Sequence, residues 1–286
     1  MAADEDQGDV MFKDIVVNLS LDPSRVAATE YAVSVASMFQ SQLTGIAFMY
    51  EPVLPSVYMG SSLHGSDMVF HREEAKRRAD NSIRLFEGIA KKVDLVVEAY
   101  ALDTKPSRAT DEFAKIARRF DLAIVGQAEP DNETLEVRIA EVALFESGRP
   151  TLFVPYVHKA PVNLRHVTAC WDGSRAATRA IADAMPFLER AEHIDIVVME
   201  SEQPKSEDFP GLDMARHLAR HGLKVEVKRI PLKIDVGNTI LNHAADHGTG
   251  LIVMGGYGHS RLREFILGGA TRTLLERMTV PTLMSH

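Results

Sequence analysis

An internal repeat constrains this chain more than any other feature of its sequence. A short apolar strand running into an Asp-x-Ser turn occurs twice, ending at Asp22-Pro23-Ser24 and at Asp172-Gly173-Ser174. Late in each half another apolar run stops on a glycine, Gly126 and Gly255, and each half closes on Pro-Thr-Leu, starting at Pro150 and Pro281. The interval from aspartate to glycine, 22 to 126 against 172 to 255, is about 21 residues longer in the first half. The surplus falls in 51–67, where Pro52, Pro55, Gly60 and Gly65 predict a loop. Between the anchors, strand-like runs alternate with helical periodicity, the pattern of βαβ units around a parallel sheet covered on both faces.

In the second half the spacing predicts strands near 165–171, 194–200, 224–230, 250–254 and 281–285. Helices are expected near 175–190, 212–221, 236–247 and 269–278, with Gly222 and Gly248 as helix-ending glycines. The first half repeats the scheme with helices near 24–40, 72–92, 107–120 and 134–145. The expected architecture is therefore α/β: two tandem doubly wound five-stranded parallel sheets of order 3-2-1-4-5. A short linker bounded by prolines, 154–161, separates units at 11–155 and 162–286.

Composition excludes several classes of function. A chain of 286 residues is long enough for two domains, and 45% apolar with 25% charged residues is ordinary for a folded soluble protein. A net charge of -8 argues against a nucleic-acid-binding surface, and a single cysteine excludes an internal disulfide and any multi-cysteine metal site. No run of apolar residues is long enough for a membrane span. The start of the chain carries Asp4, Glu5, Asp6 and Asp9 where a secretory signal needs basic residues, so a frayed tail and a cytoplasmic location are expected.

The chemistry concentrates after the fourth strand of the second half, in a run from Gly255 to Thr271. Glycine amides can approach phosphate oxygens closely, and a helix starting after Gly268 and Gly269 would add its bare N–H groups and positive dipole end. Arg261, Arg263 and Arg272 supply positive charge nearby. In a 3-2-1-4-5 sheet the ligand crevice opens where strands 1 and 4 part, which sets Asp172 beside Gly255. There Asp172 can accept a hydrogen bond from a base amino group or a ribose hydroxyl, or simply cap the helix that follows. A dinucleotide fingerprint is disfavoured, because Arg261 stands where its third glycine belongs and the run follows the wrong strand. A P-loop lysine motif is absent.

Gly255 and Gly258, then nine residues, then Gly268 and Gly269, preceded by Val253-Met254 and joined with the Asp172-Gly173-Ser174 turn, resemble the universal stress protein family. The likeness extends over both halves, as in a tandem member. It implies a flavodoxin-like fold and ATP or a related adenine nucleotide, with magnesium as its companion. It also implies a regulatory role in stress survival without enzymatic turnover. The residues carried over as binding residues are Asp172, Gly255, Gly258, Gly268 and Gly269. One departure stands out: the family has Ser or Thr after its last motif glycine, whereas this chain has Gly269, and Thr271 is the nearest substitute hydroxyl.

The first half lacks the glycines between Gly126 and Gly148 and carries Glu129, Asp131, Glu133, Glu136 and Glu141 instead, charges that repel phosphate. It is expected to bind no nucleotide and to act as partner to the other half. The fifth strands, 151–154 and 282–285, would pair within the chain as an intramolecular pseudo-dimer. A further homodimer is left open. The pairs His217/His221 and His243/His247 have metal spacing but sit at helix ends that favour a cation-capable ring, so no metal is assigned. Cys170 is expected to pack, and His259 with Ser260 lacks a third catalytic partner. The alternatives to a nucleotide-binding regulator are a nucleotide-independent interaction module and a slow ATP hydrolase.

Overall fold

β-branched and aliphatic residues dominate the strands and small residues the helix faces that cover them, and both patterns appear in a computed structural model of the chain. It describes residues 11–49, 65–128, 135–200, 211–232, 235–256 and 269–286. The first half comprises β1 (Asp14–Asn18), α1 (Ala27–Phe39), β2 (Gln42–Met49), α2 (Gly65–Lys91), β3 (Val97–Asp103), α3 (Pro106–Ala117), β4 (Leu122–Gly126), α4 (Leu135–Glu146) and β5 (Thr151–Val154). The second comprises β6 (His166–Cys170), α5 (Arg175–Asp183), α6 (Met185–Leu188), β7 (His193–Glu200), α7 (Leu212–Arg220), β8 (Val225–Pro231), α8 (Val236–Asp246), β9 (Leu251–Gly255), α9 (Gly269–Arg277) and β10 (Thr282–Ser285). The predicted loop at 51–67 lies mostly outside the described residues.

The helix expected over 175–190 is divided. Pro186 has no N–H to donate and its ring crowds the preceding turn, so α5 stops at Asp183 and α6 starts afresh at Met185. Elsewhere the helix ends follow their chemistry: Ser174 Oγ caps α5 by accepting from Ala177 N at 3.1 Å, and Asp235 caps α8 by accepting from Asn238 N at 3.0 Å. Gly222 (φ 78°) and Gly248 (φ 63°) take the left-handed conformation that ends α7 and α8.

Each half shows the order 3-2-1-4-5, and the two halves form one ten-stranded sheet, β3-β2-β1-β4-β5-β10-β9-β6-β7-β8. All neighbours are parallel except at the centre, where β5 and β10 run antiparallel with Thr282 opposite Phe153, Leu283 opposite Leu152 and Met284 opposite Thr151. Every residue of both strands is buried. The edges that each unit would expose alone are thereby consumed.

The core follows the sheet, not the halves. On one face Phe12, Phe39 and Phe187 meet with ring centroids 5.1–5.3 Å apart, joining α1 of the first half to α6 of the second. On the other, Phe153, Ile139 and Leu144 of the first half share a cluster with Ile252, Leu274 and Met284 of the second. Polar contacts cross the same seam: Gln127 Nε2 donates to the Leu275 carbonyl at 2.9 Å and Arg179 Nη2 to the Gly148 carbonyl at 3.0 Å. Among the described residues no helix is long and apolar enough to cross a membrane.

Truncating Phe153 to alanine should cost about 3–5 kcal/mol, the usual loss for a fully buried phenylalanine. Because the cluster is shared, urea denaturation followed by far-UV circular dichroism should show a single shifted transition. Two transitions, only one of them displaced, would mean that the halves fold independently.

Candidate nucleotide site

The crevice of the second half opens at the carboxyl ends of β6 and β9. These strands pair with Ala169 opposite Val253, so two residues further along Trp171 stands level with Gly255 and Asp172 follows directly. Asp172 lies on the surface, and its Oδ1 accepts from Ser174 N at 2.9 Å, closing the turn that Ser174 extends into the cap of α5. Ser174, not Asp172, is therefore the helix cap. The turn fixes the carboxylate at the mouth of the crevice and commits one of its lone pairs.

Gly255 serves packing. A Cβ there would stand 2.6 Å from Ala177 N and 2.7 Å from the Ala176 carbonyl carbon, both backbone atoms of the first turn of α5. Only glycine lets the helix sit this close to the strand end. Gly256 continues the chain with its N–H donating to the Ser285 carbonyl at 2.8 Å, and its own carbonyl lies 3.0 Å from His286 Nδ1. Gly258 and Gly268, with Arg261, Arg263, His259 and Ser260, lie outside the described residues. Gly269 opens α9, and a Cβ there would meet nothing within 4 Å among the described residues. Thr271, one turn into that helix, is buried at 2% exposure. Arg272 bonds Glu276 at 2.6 Å on the outer face of α9. The first turn of α9 carries no acidic residue, so its positive dipole end is uncompensated from within the helix.

The corresponding crevice of the first half is built differently. It begins with the same turn: Asp22 Oδ1 accepts from Ser24 N at 2.9 Å and from Ser24 Oγ at 2.7 Å, bonds that hold the Asp22 carboxyl below the usual carboxylate range. Glu136, in the first turn of α4, reaches into the gap between β1 and β4. Its Oε2 meets Arg25 Nη1 at 2.9 Å and its Oε1 accepts from Ser20 Oγ at 2.7 Å. The helix N-terminus that could attract an anion thus already holds a carboxylate, and an arginine is bound to it. Outside these side chains, toward α2, a wide cleft of about 1470 Å³ is bordered by Asp22, Arg25 and Glu136, and what remains behind them, lined by Asn18, Gln127 and Tyr156 among others, is a cavity of about 30 Å³. That is room for a water or two, against the several hundred Å³ of a small-molecule site. Glu129, Asp131 and Glu133 lie outside the described residues.

Comparison with known proteins sharpens the reading of the second half. A family model, that of the Universal stress protein family, matches residues 163–286. The second half of this chain is thus similar to the universal stress protein family. Universal stress protein Slr1230 of Synechocystis sp. (strain ATCC 27184 / PCC 6803 / Kazusa) is 26% identical over 142 residues, 47% of this chain and 46% of that protein, so the match spans less than half of either. Solved structures extend the likeness in fold to the whole chain. A universal stress protein from Archaeoglobus fulgidus DSM 4304 superposes with a TM-score of 0.74 over 96% of both chains, at 17% identity. A protein of unknown function from Pseudomonas aeruginosa PAO1 superposes with a TM-score of 0.56 over 95% of this chain and 92% of its own, at 12% identity. The ten-stranded arrangement is thus a universal stress protein fold used twice.

Two groupings were not legible in the sequence. One is the Ser20–Arg25–Glu136 cluster just described; the acidity of that segment was visible, its arginine partner was not. The other lies at the opposite end of the second half, where His243, stacked on its helical neighbour His247 with ring centroids 4.0 Å apart, also reaches the buried carboxylate of Asp195, with Nε2 3.1 Å from Oδ2.

Cys170, at the end of β6 and two residues from Asp172, packs into the core, where burial and the neighbouring carboxylate push its thiol up to about 12. The thiolate is therefore disfavoured relative to that of an ordinary cysteine. Alkylation by iodoacetamide should be negligible in the native protein and rapid in denaturant; rapid native alkylation would contradict the packing. Replacing Gly255 by alanine should destabilise the fold by about 1–3 kcal/mol, as expected for overpacking against backbone, and chemical denaturation measures it. An unchanged midpoint would show that α5 can retreat at no cost.

Proposed function

We propose that the chain binds one adenine nucleotide, ATP with magnesium or a close relative, in the crevice of its second half, and acts as a nucleotide-responsive regulator of stress survival. The observation that carries this reading is the asymmetry between the two crevices. One ends in a glycine-rich run, a helix N-terminus with no acidic residue in its first turn and an exposed carboxylate fixed by its turn; in the other the helix N-terminus is taken by Glu136, held by Arg25 and Ser20.

In this reading the backbone amides around Gly258, Gly268 and Gly269 receive the phosphates, and the N-terminus of α9 adds its dipole. Asp172 offers its remaining lone pairs to the amino group of the base or a hydroxyl of the ribose. A bound magnesium ion would neutralise phosphate charge. The open space at Gly269 means that a hydroxyl side chain would fit there, so the missing Ser or Thr lowers affinity without closing the site. Thr271, being buried, contributes by setting the start of α9 in place. The first half supplies β5, which covers the edge strand β10 beside β9.

Titration calorimetry with ATP and magnesium should find one site per chain. Gly268→Asp, which puts a negative charge among the phosphate amides, should abolish it, and Asp172→Ala should weaken it. Gly269→Ser should tighten it about five- to tenfold, the value of one ordinary hydrogen bond. Two sites per chain, or none at millimolar nucleotide, would overturn the proposal, and the second result would favour a nucleotide-independent interaction module.

A further inference from the structure

At the amino-terminal ends of β6 and β7, opposite the crevice, four polar side chains meet on a sheet face where apolar residues would be expected. The register explains how. His166 and His193 are directly paired on the neighbouring strands, and Asp195, two residues beyond His193, projects to the same face. His243 reaches them from α8. The Asp195 side chain has no exposed surface, and three imidazoles converge on its two oxygens. His166 Nε2 lies 2.9 Å and His243 Nε2 3.1 Å from Oδ2, and His193 Nε2 lies 3.2 Å from Oδ1.

A carboxylate buried this completely is costly unless positive charge accompanies it. Neutral imidazoles supply hydrogen bonds but no charge, and the ammonium that acts on Asp195, that of Lys228, is itself bound to Glu226 at 2.6 Å. One of the imidazoles does not even supply the bond: His166 Nε2 is buried and without a hydrogen-bond partner, because at 2.9 Å from the carboxylate it is not aimed along a hydrogen-bond direction. A nitrogen close to a carboxylate oxygen but pointing past it is the arrangement of two ligands of a common ion.

We propose that His166, His193 and Asp195 bind a divalent zinc-type ion, with the fourth position open to water and His243 donating to the carboxylate from the core side. Donor atoms 2.0–2.1 Å from a tetrahedral ion stand about 3.3 Å apart; the 2.9 and 3.2 Å separations are close to this but run to different oxygens of Asp195, Oδ2 and Oδ1, so the carboxylate either rotates to share one oxygen or takes the ion with both. The donor atoms of these three residues already lie within 4.8 Å of one another. Two imidazoles, one carboxylate and an open position suit zinc and its first-row neighbours. The His243 contact is the kind of outer hydrogen bond that orients a ligating carboxylate. An entry path exists, because the His193 side chain is 42% exposed; at the mouth Glu226 stands with Oε2 3.7 Å from His193 Nε2 and Oε1 bound to Lys228 Nζ at 2.6 Å. No residue of this cluster belongs to the crevice at the other end of the strands, so the inference is independent of the nucleotide reading.

The full-length protein, stripped by chelator and dialysed, is titrated with zinc chloride alone in a calorimeter. One ion per chain is expected. His193→Ala, a substitution at a half-exposed site that leaves the fold intact by circular dichroism, should weaken binding at least about tenfold, and His166→Ala should do the same. His217→Ala, in the other helical pair, should leave it unchanged. Cobalt substitution should give the visible absorption of a tetrahedral ion without thiolate bands. Failure to bind zinc stoichiometrically, or binding that survives His193→Ala or depends on His217, would overturn the proposal. ATP binding should be unaffected by His193→Ala, so loss of one site is distinguishable from absence of the other.

Discussion

Three residue pairs between β5 and β10, Phe153 with Thr282, Leu152 with Leu283 and Thr151 with Met284, convert two five-stranded sheets into one. Each strand is short and wholly buried, and each would be an unprotected sheet edge without the other. The pairing also decides where the apolar surface goes. Helices of both halves lie side by side across the seam, so Phe12 and Phe39 pack on Phe187, and Phe153 lies among residues of α8 and α9's side of the sheet. Two hydrophobic cores result, one on each face, and neither belongs to one half.

That symmetry of fold makes the asymmetry of chemistry informative. The two halves share the strand order, the Asp-x-Ser turn after the first strand and a glycine at the end of the fourth. Gly126 and Gly255 both face alanines of the helix behind them, Ala28 in one half and Ala176 and Ala177 in the other. With the scaffold common to both, the difference rests on the first turn of the helix after the fourth strand: Glu136 in α4, Gly269-Ala270-Thr271 in α9. A carboxylate at a helix N-terminus takes up the dipole that an anion would otherwise use. Arg25, which in an open crevice could face a phosphate, is instead turned to that carboxylate at 2.9 Å.

Much of this was legible in the chain itself. The strands announce themselves through runs such as Ile15-Val16-Val17 and Leu251-Ile252-Val253, and the repeat of anchors fixed the topology because a doubly wound unit has few ways to arrange five strands. The pairing of the fifth strands was foreseeable for the same reason that it exists, the need to cover edges. Pro186 announces the break in its helix, yet apolar periodicity continues through it and masks the interruption. The role of Asp172 was ambiguous because Asp and Ser both cap helices, and only geometry gives the cap to Ser174. The convergence of His166, His193 and Asp195 depends on cross-strand register, which no local spacing reveals; the sequence offered His243 and His247 as a helical pair, and they do stack, but the contact of His243 with Asp195 comes from the sheet.

On the proposed reading one lobe receives a nucleotide, while in the other Glu136, bound to Arg25 and Ser20, occupies the helix N-terminus that a phosphate would use. Hydrogen–deuterium exchange of the full-length protein with and without ATP and magnesium tests it most directly, because it reports both crevices in one experiment. Slowed exchange in the segment from Gly255 to Thr271 and around Asp172, with no change around Ser20, Arg25 and Glu136, is the predicted result. Protection of the Glu136 crevice, or no protection in either lobe, would contradict the account.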